Sequence, residues 1–140
     1  MKIELAAEPD EALRRAIMAP LVAFNEALAG PSGHRTLALV LRDADGTARG
    51  GLWGNTAYGW LYTQMLVVPE VARGQGLGRE LMRAAEAEAL RRGCTRAWVD
   101  TQFGGRGFYE RLGYTVFGEL ADYPPGFTRT FLQKSLRDVT

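Results

Sequence analysis

The chain has 140 residues, and its 17 basic and 16 acidic side chains leave a formal net charge of +1 at neutral pH. This balance gives no general attraction for nucleic acids or anionic membranes, so any anion-binding function must come from local geometry. The length suits one domain over residues 1–140. The single cysteine, Cys94, excludes an internal disulfide and disfavours a cysteine-based metal site, so we expect a reducing, cytoplasmic setting.

The N-terminal part of the chain predicts a short strand followed by a helix. Residues 2–6 are extended in character, and residues 1–13 lack the uninterrupted apolar core of a signal peptide. A helix then begins near Pro9, has acidic residues in its first turn and ends at Gly30. Pro20 should kink or split this helix. No segment approaches the roughly 20 apolar residues that span a bilayer, so we expect no membrane partner.

The rest of the chain alternates strand and helix signals. The predicted strands cover residues 36–41, 48–53, 60–68, 95–101, 114–120 and 128–136, and the predicted helices cover residues 77–92 and 106–112. A turn at residues 54–59 separates the second of these strands from the third. The unit over residues 60–101 is a βαβ crossover, so its two strands should be parallel and joined right-handedly. The fold class is therefore α/β.

A glycine-rich loop separates the longest predicted strand from the best predicted helix. The sequence RGQGLGR, from Arg73 to Arg79, has glycines at positions 74, 76 and 78. Unpaired N–H groups and the dipole at a helix N-terminus favour an anion, and glycine lets the backbone approach it closely. A P-loop would need a Gly-Lys pair, which the chain lacks, and the dinucleotide pattern GxGxxG fails because its last position holds Arg79 or Leu81.

The remaining pattern, Arg-x-x-Gly-x-Gly, resembles the pyrophosphate loop of the GNAT superfamily of acyl-CoA N-acyltransferases. A second stretch, FYERLGY at residues 108–114, is similar to that superfamily's FYxxxG motif, in which Phe or Tyr follows the glycine. The two motifs occur in order, and the resemblance covers about the last two thirds of the chain. It implies the GNAT fold, a mixed and mostly antiparallel central sheet with a splayed parallel strand pair and flanking helices.

The resemblance also implies a set of contacts to acetyl-CoA (coenzyme A), with no metal. In the family, pantetheine amides add to an exposed strand edge, and backbone N–H groups of the glycine loop hold the pyrophosphate, helped by arginines. For Arg79, a solvated helix face is the alternative. Carried over to this chain, the cofactor-binding residues are Leu66, Val67, Val68, Arg73, Gly74, Gln75, Gly76, Leu77, Gly78, Arg79 and Gln102.

The implied reaction is direct transfer of an acetyl group from acetyl-CoA to a primary amine in a ternary complex. Tyr109 matches the family's tyrosine and would be the acid for the departing thiolate, the alternative being a core aromatic. The family's usual oxyanion donor is a backbone N–H near Leu66. Gln64 stands where many relatives have a carboxylate, so the base is open between Asp100, His34 and a water chain. Asp100 has the alternative of pairing with an arginine.

Departures from the family pattern leave the function class open. Gly104 and Gly105 should loosen the start of the short helix that carries Tyr109, and Gln64 cannot accept a proton. A non-catalytic acyl-CoA sensor is therefore the alternative to an enzyme, and a nucleotide-binding domain is a third reading. The resemblance implies a small-molecule or peptide amine as acceptor, and it is compatible with a homodimer.

Overall fold

The computed structural model of the protein describes residues 1–137. Its contacts divide the chain into two compact units, residues 1–32 and the part that begins at Gly33. The elements are α1 (Glu11–Ala29), β1 (Arg35–Arg42), β2 (Ala48–Ala57), β3 (Trp60–Val67), α2 (Leu77–Arg91), β4 (Arg96–Thr101), α3 (Arg106–Arg111), β5 (Thr115–Leu120) and β6 (Arg129–Ser135). A 3₁₀ turn over Glu70–Ala72 lies between β3 and α2.

The first unit contains the helix α1. The strand expected at residues 2–6 is wrong, because an extended segment becomes a strand only by pairing and these residues have no strand partner among residues 1–137. Asp10 caps the helix as its carboxylate accepts a hydrogen bond of 2.8 Å from the N–H of Leu13. The helix continues through Pro20 without being split, because its 19 residues supply enough complete turns to tolerate one missing hydrogen bond.

The second unit contains a six-stranded sheet with the order β1-β2-β3-β4-β6-β5. Neighbouring strands are antiparallel except for β3 and β4, which are parallel and joined by the crossover through α2. The expected mixed sheet with one parallel pair and flanking helices is therefore confirmed. Strand β2 continues to Ala57, and the turn expected over residues 54–59 is reduced to Tyr58 and Gly59, whose φ values of 51° and 79° suit a two-residue hairpin.

The parallel strands β3 and β4 part halfway along their length. Their pairing runs from Trp60 opposite Arg96 to Thr63 opposite Val99 and then stops. Beyond that point β3 remains paired with β2, whereas β4 remains paired with β6. We call the opening after Thr63 and Val99 the fork. Gln64 lies at the fork as a bulge without a residue opposite it on β2, because Thr63 pairs with Gly54 and Met65 pairs with Trp53.

The core lies between α2 and the first three strands and continues towards β6 and the helix α3. Its buried members include Leu37, Leu52, Leu61, Met82, Ala85, Ala89, Ala97, Val99, Tyr114 and Leu132. Cys94 belongs to this core, and burial raises the pKa of its thiol, so the residue serves packing. None of the helices within residues 1–137 has the length and apolar character needed to cross a membrane.

Candidate active site

The glycines of the loop serve two different purposes. Gly74 and Gly76 have φ values of 81° and 78°, a left-handed conformation in which a side chain is strained. Gly78 lies inside α2, where an added Cβ would stand 3.3 Å from the ring of Phe108. The first two glycines therefore shape the turn before α2, and the third lets the helix pack closely against the aromatic residue of the second motif.

The N-terminus of α2 is open to a ligand. The helix begins at Leu77 with Gly76 as its N-cap, and no side chain of residues 1–137 caps it. Its first-turn N–H groups therefore lack the side-chain acceptor that helix starts usually have. Together with the helix dipole, this terminus favours an anion.

A cavity of about 620 Å³ lies between the end of β3 and this helix terminus. Ala72 and Phe108 line it although they were not predicted; Phe108 carried a signal, since it opens the FYERLGY motif. Gln75 and Gln102 are not among its lining residues. The predicted cofactor-binding residues that line the cavity are Leu66, Val67, Val68, Arg73, Gly74, Gly76, Leu77, Gly78 and Arg79.

Two arginines bring uncompensated positive charge to the cavity. The Nε of Arg73 donates to the carbonyl of Val68 at 3.2 Å, which fixes the loop to the end of β3. Arg79 lies beside the loop, since a Cβ on Gly76 would be 3.7 Å from its guanidinium. Neither arginine forms a salt bridge with any residue in the described part of the chain. An open helix terminus and two unpaired cations fit a pyrophosphate.

A buried hydroxyl at the fork lacks a partner. The Oγ1 of Thr63 forms no hydrogen bond with residues 1–137, although Thr63 is only 3% exposed. A buried polar atom without a partner costs free energy and is rare in native structures. Thr63 is the last residue of β3 that pairs with β4. A polar group of a ligand that enters the fork would satisfy this hydroxyl.

Tyr109 lies in the core. Its ring packs against Phe108 and Tyr114, with centroid distances of 5.1 and 5.8 Å. The side chain is 8% exposed, and its hydroxyl makes no hydrogen bond with the described residues. Burial, followed by the charge of Asp100, raises the pKa of Tyr109 to about 12. The phenol is therefore a protonated donor at neutral pH.

The glycines before α3 have conformations and surroundings that favour glycine. Gly104 has a φ of 81°, and a Cβ on Gly105 would stand 2.3 Å from the Oγ1 of Thr101. Gly105 is therefore required by the close approach of the end of β4. The helix begins directly afterwards at Arg106, with the N–H of Tyr109 donating to the carbonyl of Gly105 at 3.2 Å.

The candidates for the base differ in their surroundings. Asp100 follows Val99 at the fork and pairs with an arginine, Arg129, which is the alternative to its being a base. Arg129 donates from Nε to Oδ2 at 2.7 Å and also from Nη2. The hydroxyl of Tyr62 donates to Oδ1 of Asp100 at 2.9 Å. His34 is exposed just before β1, and Gln64 is exposed at the bulge of β3. Asp100 is therefore shared between two donors before any acceptor arrives.

The site can hold an anion at α2, an extended chain along the free edge of β3, and a reacting group near the fork. Residues 1–137 contain no cluster of three or more His, Cys, Asp or Glu side chains that would hold a metal ion. Gln102, predicted to bind the cofactor, donates from Nε2 to the carbonyl of Tyr123 at 3.2 Å.

Known proteins similar to this chain show which family it belongs to. The acetyltransferase (GNAT) family model matches residues 4–114. An acetyltransferase of Agrobacterium fabrum is 43% identical over 135 residues, which are 96% of this chain and 98% of that protein. The crystal structure of an Agrobacterium tumefaciens protein assigned as an acetyltransferase is 43% identical, with a TM-score of 0.91 over 96% of this chain and 99% of that one. Blasticidin-S acetyltransferase of Streptomyces morookaense is 43% identical over 93 residues, 65% of this chain and 68% of that protein. The chain therefore belongs to the GNAT family of acetyltransferases.

Proposed function

We propose that the protein transfers an acetyl group from acetyl-CoA to a primary amine by direct transfer in a ternary complex. The observation that carries the proposal is the cavity that joins the end of β3 to the uncapped N-terminus of α2. Acetyl-CoA is the acetyl donor of the GNAT family to which the chain belongs. Bound here, it supplies an activated thioester, and the protein supplies orientation and hydrogen-bond donors.

The glycine loop and the free edge of β3 would bind different parts of acetyl-CoA. The N–H groups of residues 76–79 would hold the pyrophosphate, with Arg73 and Arg79 adding charge. The edge of β3 at Leu66–Val68 has no partner on β4, so its backbone groups would pair with the pantetheine amides. The carbonyl of Val68 is already engaged by Arg73. Backbone groups of successive strand residues point to opposite edges, so one of Leu66 and Val67 faces β2 and the other offers its groups to the pantetheine.

The residues at the fork would stabilise the charges that develop during transfer. A backbone N–H near Leu66 would donate to the thioester oxygen as negative charge accumulates there. Tyr109 would donate a hydrogen bond from its phenolic hydroxyl to the departing thiolate. The pKa of Tyr109, about 12, lies above the value of about 8.5 for an ordinary thiol. Tyr109 therefore keeps its proton and acts through a hydrogen bond, and the proton lost by the amine leaves through water.

The raised pKa of Tyr109 predicts how the rate depends on pH. Burial keeps the phenol protonated well above its ordinary pKa of 10.0. We expect kcat/KM to rise with pH as the acceptor amine loses its proton, and to show no decline from Tyr109 up to about pH 11. Initial rates from pH 6 to 11 with one amine check this. A decline below pH 10 that disappears in Tyr109→Phe would contradict it.

Release of free thiol from acetyl-CoA, measured with a panel of amines, separates the enzyme from the sensor. The panel includes small amines, amino acids, peptides with free N-termini, and blasticidin S, because one relative is named blasticidin-S acetyltransferase. We expect at least one amine to accelerate thiol release. Binding of acetyl-CoA without release for any amine would favour the sensor. Calorimetric binding of ATP in place of acetyl-CoA would favour a nucleotide-binding domain.

A further inference from the structure

We infer that Asp100 and Arg129 form an acceptor site for an amine that carries a carboxylate close to its amino group, as in an amino acid. The inference rests on the proposed acetyl transfer and names the class of acceptor. The ammonium would approach Asp100 at the fork, and the carboxylate would bind the guanidinium of Arg129. This site lies outside the cavity that the glycine loop lines.

Strand alternation turns Asp100 away from the core. Val99, its neighbour on β4, is 1% exposed and packs in the core, so Asp100 points to the opposite face of the sheet. The same face carries Tyr62 and Trp98, whose rings stack at a centroid distance of 4.0 Å. The carboxylate thus stands at the fork, on a surface built from β3, β4 and β6.

Arg129 is held rigidly and keeps donors for a ligand. Its guanidinium carbon lies 4.8 Å from the ring centre of Tyr123 and 5.5 Å from that of Phe131. Asp100 accepts from Nε and Nη2, and Tyr123 is a further hydrogen-bond partner of the guanidinium, whose five N–H groups still leave donors for another acceptor. Tyr123 is itself fixed by the hydrogen bond from Gln102. This gives Gln102 a role in positioning the loop between β5 and β6.

The charge of the pair selects the class of ligand. An acceptor with only a positive charge meets a carboxylate that Arg129 already neutralises, and an anion meets a guanidinium that Asp100 neutralises. A zwitterion offers each partner an additional opposite charge and leaves the site neutral, so little net charge is desolvated. The side chains of Asp100 and Arg129 are 10% and 25% exposed, so an incoming group would meet Arg129 first.

The location of Asp100 links this site to the reaction. Asp100 is the first residue of β4 beyond the parallel pairing with β3. Its charge contributes, after burial, to the raised pKa of Tyr109. An amine held by Asp100 would therefore lie at the fork, where the thioester is proposed to react.

Arg129→Gln tests the inference, with Lys134→Gln as the matched control. Lys134 lies on β6, as Arg129 does, and its Nζ is 2.8 Å from a carboxylate oxygen of Glu86. The side chains of Lys134 and Glu86 are 24% and 13% exposed. Each variant leaves one partly buried carboxylate without its cation. The rates to compare are those for amino acids and for the same amines without the carboxylate. Melting temperatures of the variants report the loss of stability common to both.

The wild-type protein should prefer an amino acid to its decarboxylated amine by about 10- to 100-fold in kcat/KM, as expected for one charged hydrogen-bonding pair. Arg129→Gln should abolish this preference through KM for the amino acid, with KM for acetyl-CoA unchanged. Lys134→Gln should retain the preference.

Equal rates for the two acceptor types in the wild-type protein would overturn the inference. So would an equal effect of Arg129→Gln on both acceptor types, or loss of the preference in Lys134→Gln. Calorimetric titration of amino acids into the protein with coenzyme A gives a readout that does not need turnover. If amino acids bind and Arg129→Gln loses that binding, the inference about the acceptor site stands. If no thiol is released in the same case, only the proposed acetyl transfer fails. If no amino acid binds, the inference fails.

Discussion

Gly76→Val is expected to weaken acetyl-CoA binding by at least about 10-fold while the protein remains folded. Gly76 has a φ of 78°, and a β-branched residue is a steric outlier in that region. The left-handed conformation costs an ordinary residue about 1–2 kcal/mol, so the loop should adopt another turn. The N–H groups at the start of α2 would then no longer face the cavity. Calorimetric titration with acetyl-CoA measures the loss.

Gly46→Val is the matched control for backbone strain. Gly46 has a φ of 86° in the turn between β1 and β2, and no atom lies within 4 Å of the Cβ that a substitution would add. It should therefore lose stability much as Gly76→Val does, yet bind acetyl-CoA like the wild-type protein. Normal binding by Gly76→Val would show that the loop does not hold the pyrophosphate. Equal loss of binding in both variants would assign the effect to general destabilisation.

Tyr109→Phe is expected to lower kcat by about 100-fold or more with little change in the Kd for acetyl-CoA. The phenylalanine retains the ring contacts with Phe108 and Tyr114 and removes only the hydroxyl, which makes no hydrogen bond with residues 1–137. Folding therefore loses little, whereas the departing thiolate loses its donor. Single-turnover rates at saturating acetyl-CoA measure the change in the chemical step.

Tyr114→Phe is the control for the removal of a buried phenol. Tyr114 packs against Tyr109, and its hydroxyl donates to Glu86 at 2.8 Å. This variant should lose stability, because the carboxylate of Glu86 loses a hydrogen bond, and should retain the wild-type kcat. An unchanged kcat in Tyr109→Phe would remove Tyr109 from the mechanism.

The parts of the site that are local in sequence could be predicted. The loop from Arg73 to Arg79 lies between β3 and α2, so residue spacing alone distinguished it from other phosphate loops, and the structure places most of it around one cavity. The helix α2 begins at the predicted residue because Gly76 forms its N-cap. The helical position of Tyr109 could also be predicted from a local motif, because α3 contains the whole FYER segment.

The parts that depend on pairing between distant segments could not be predicted. The family resemblance implied a splayed strand pair, but the position of the fork coincides with the bulge of Gln64 in β3, which no residue type at that position indicates. The pair of Asp100 and Arg129 joins residues from two strands whose register the sequence does not show. The close approach of Thr101 to Gly105 is likewise a product of tertiary packing, which the sequence pattern around the two glycines does not show.

The most direct test of acetyl transfer at the fork uses acetyl-CoA with an isotopically labelled acetyl group in a single turnover. Mass spectrometry of the amine and of the intact protein locates the label. Direct transfer at the fork predicts that the label appears on the amine nitrogen in the same amount as free coenzyme A, with none on the protein. Coenzyme A released without a labelled amine, or a labelled protein that precedes the labelled amine, would contradict the account.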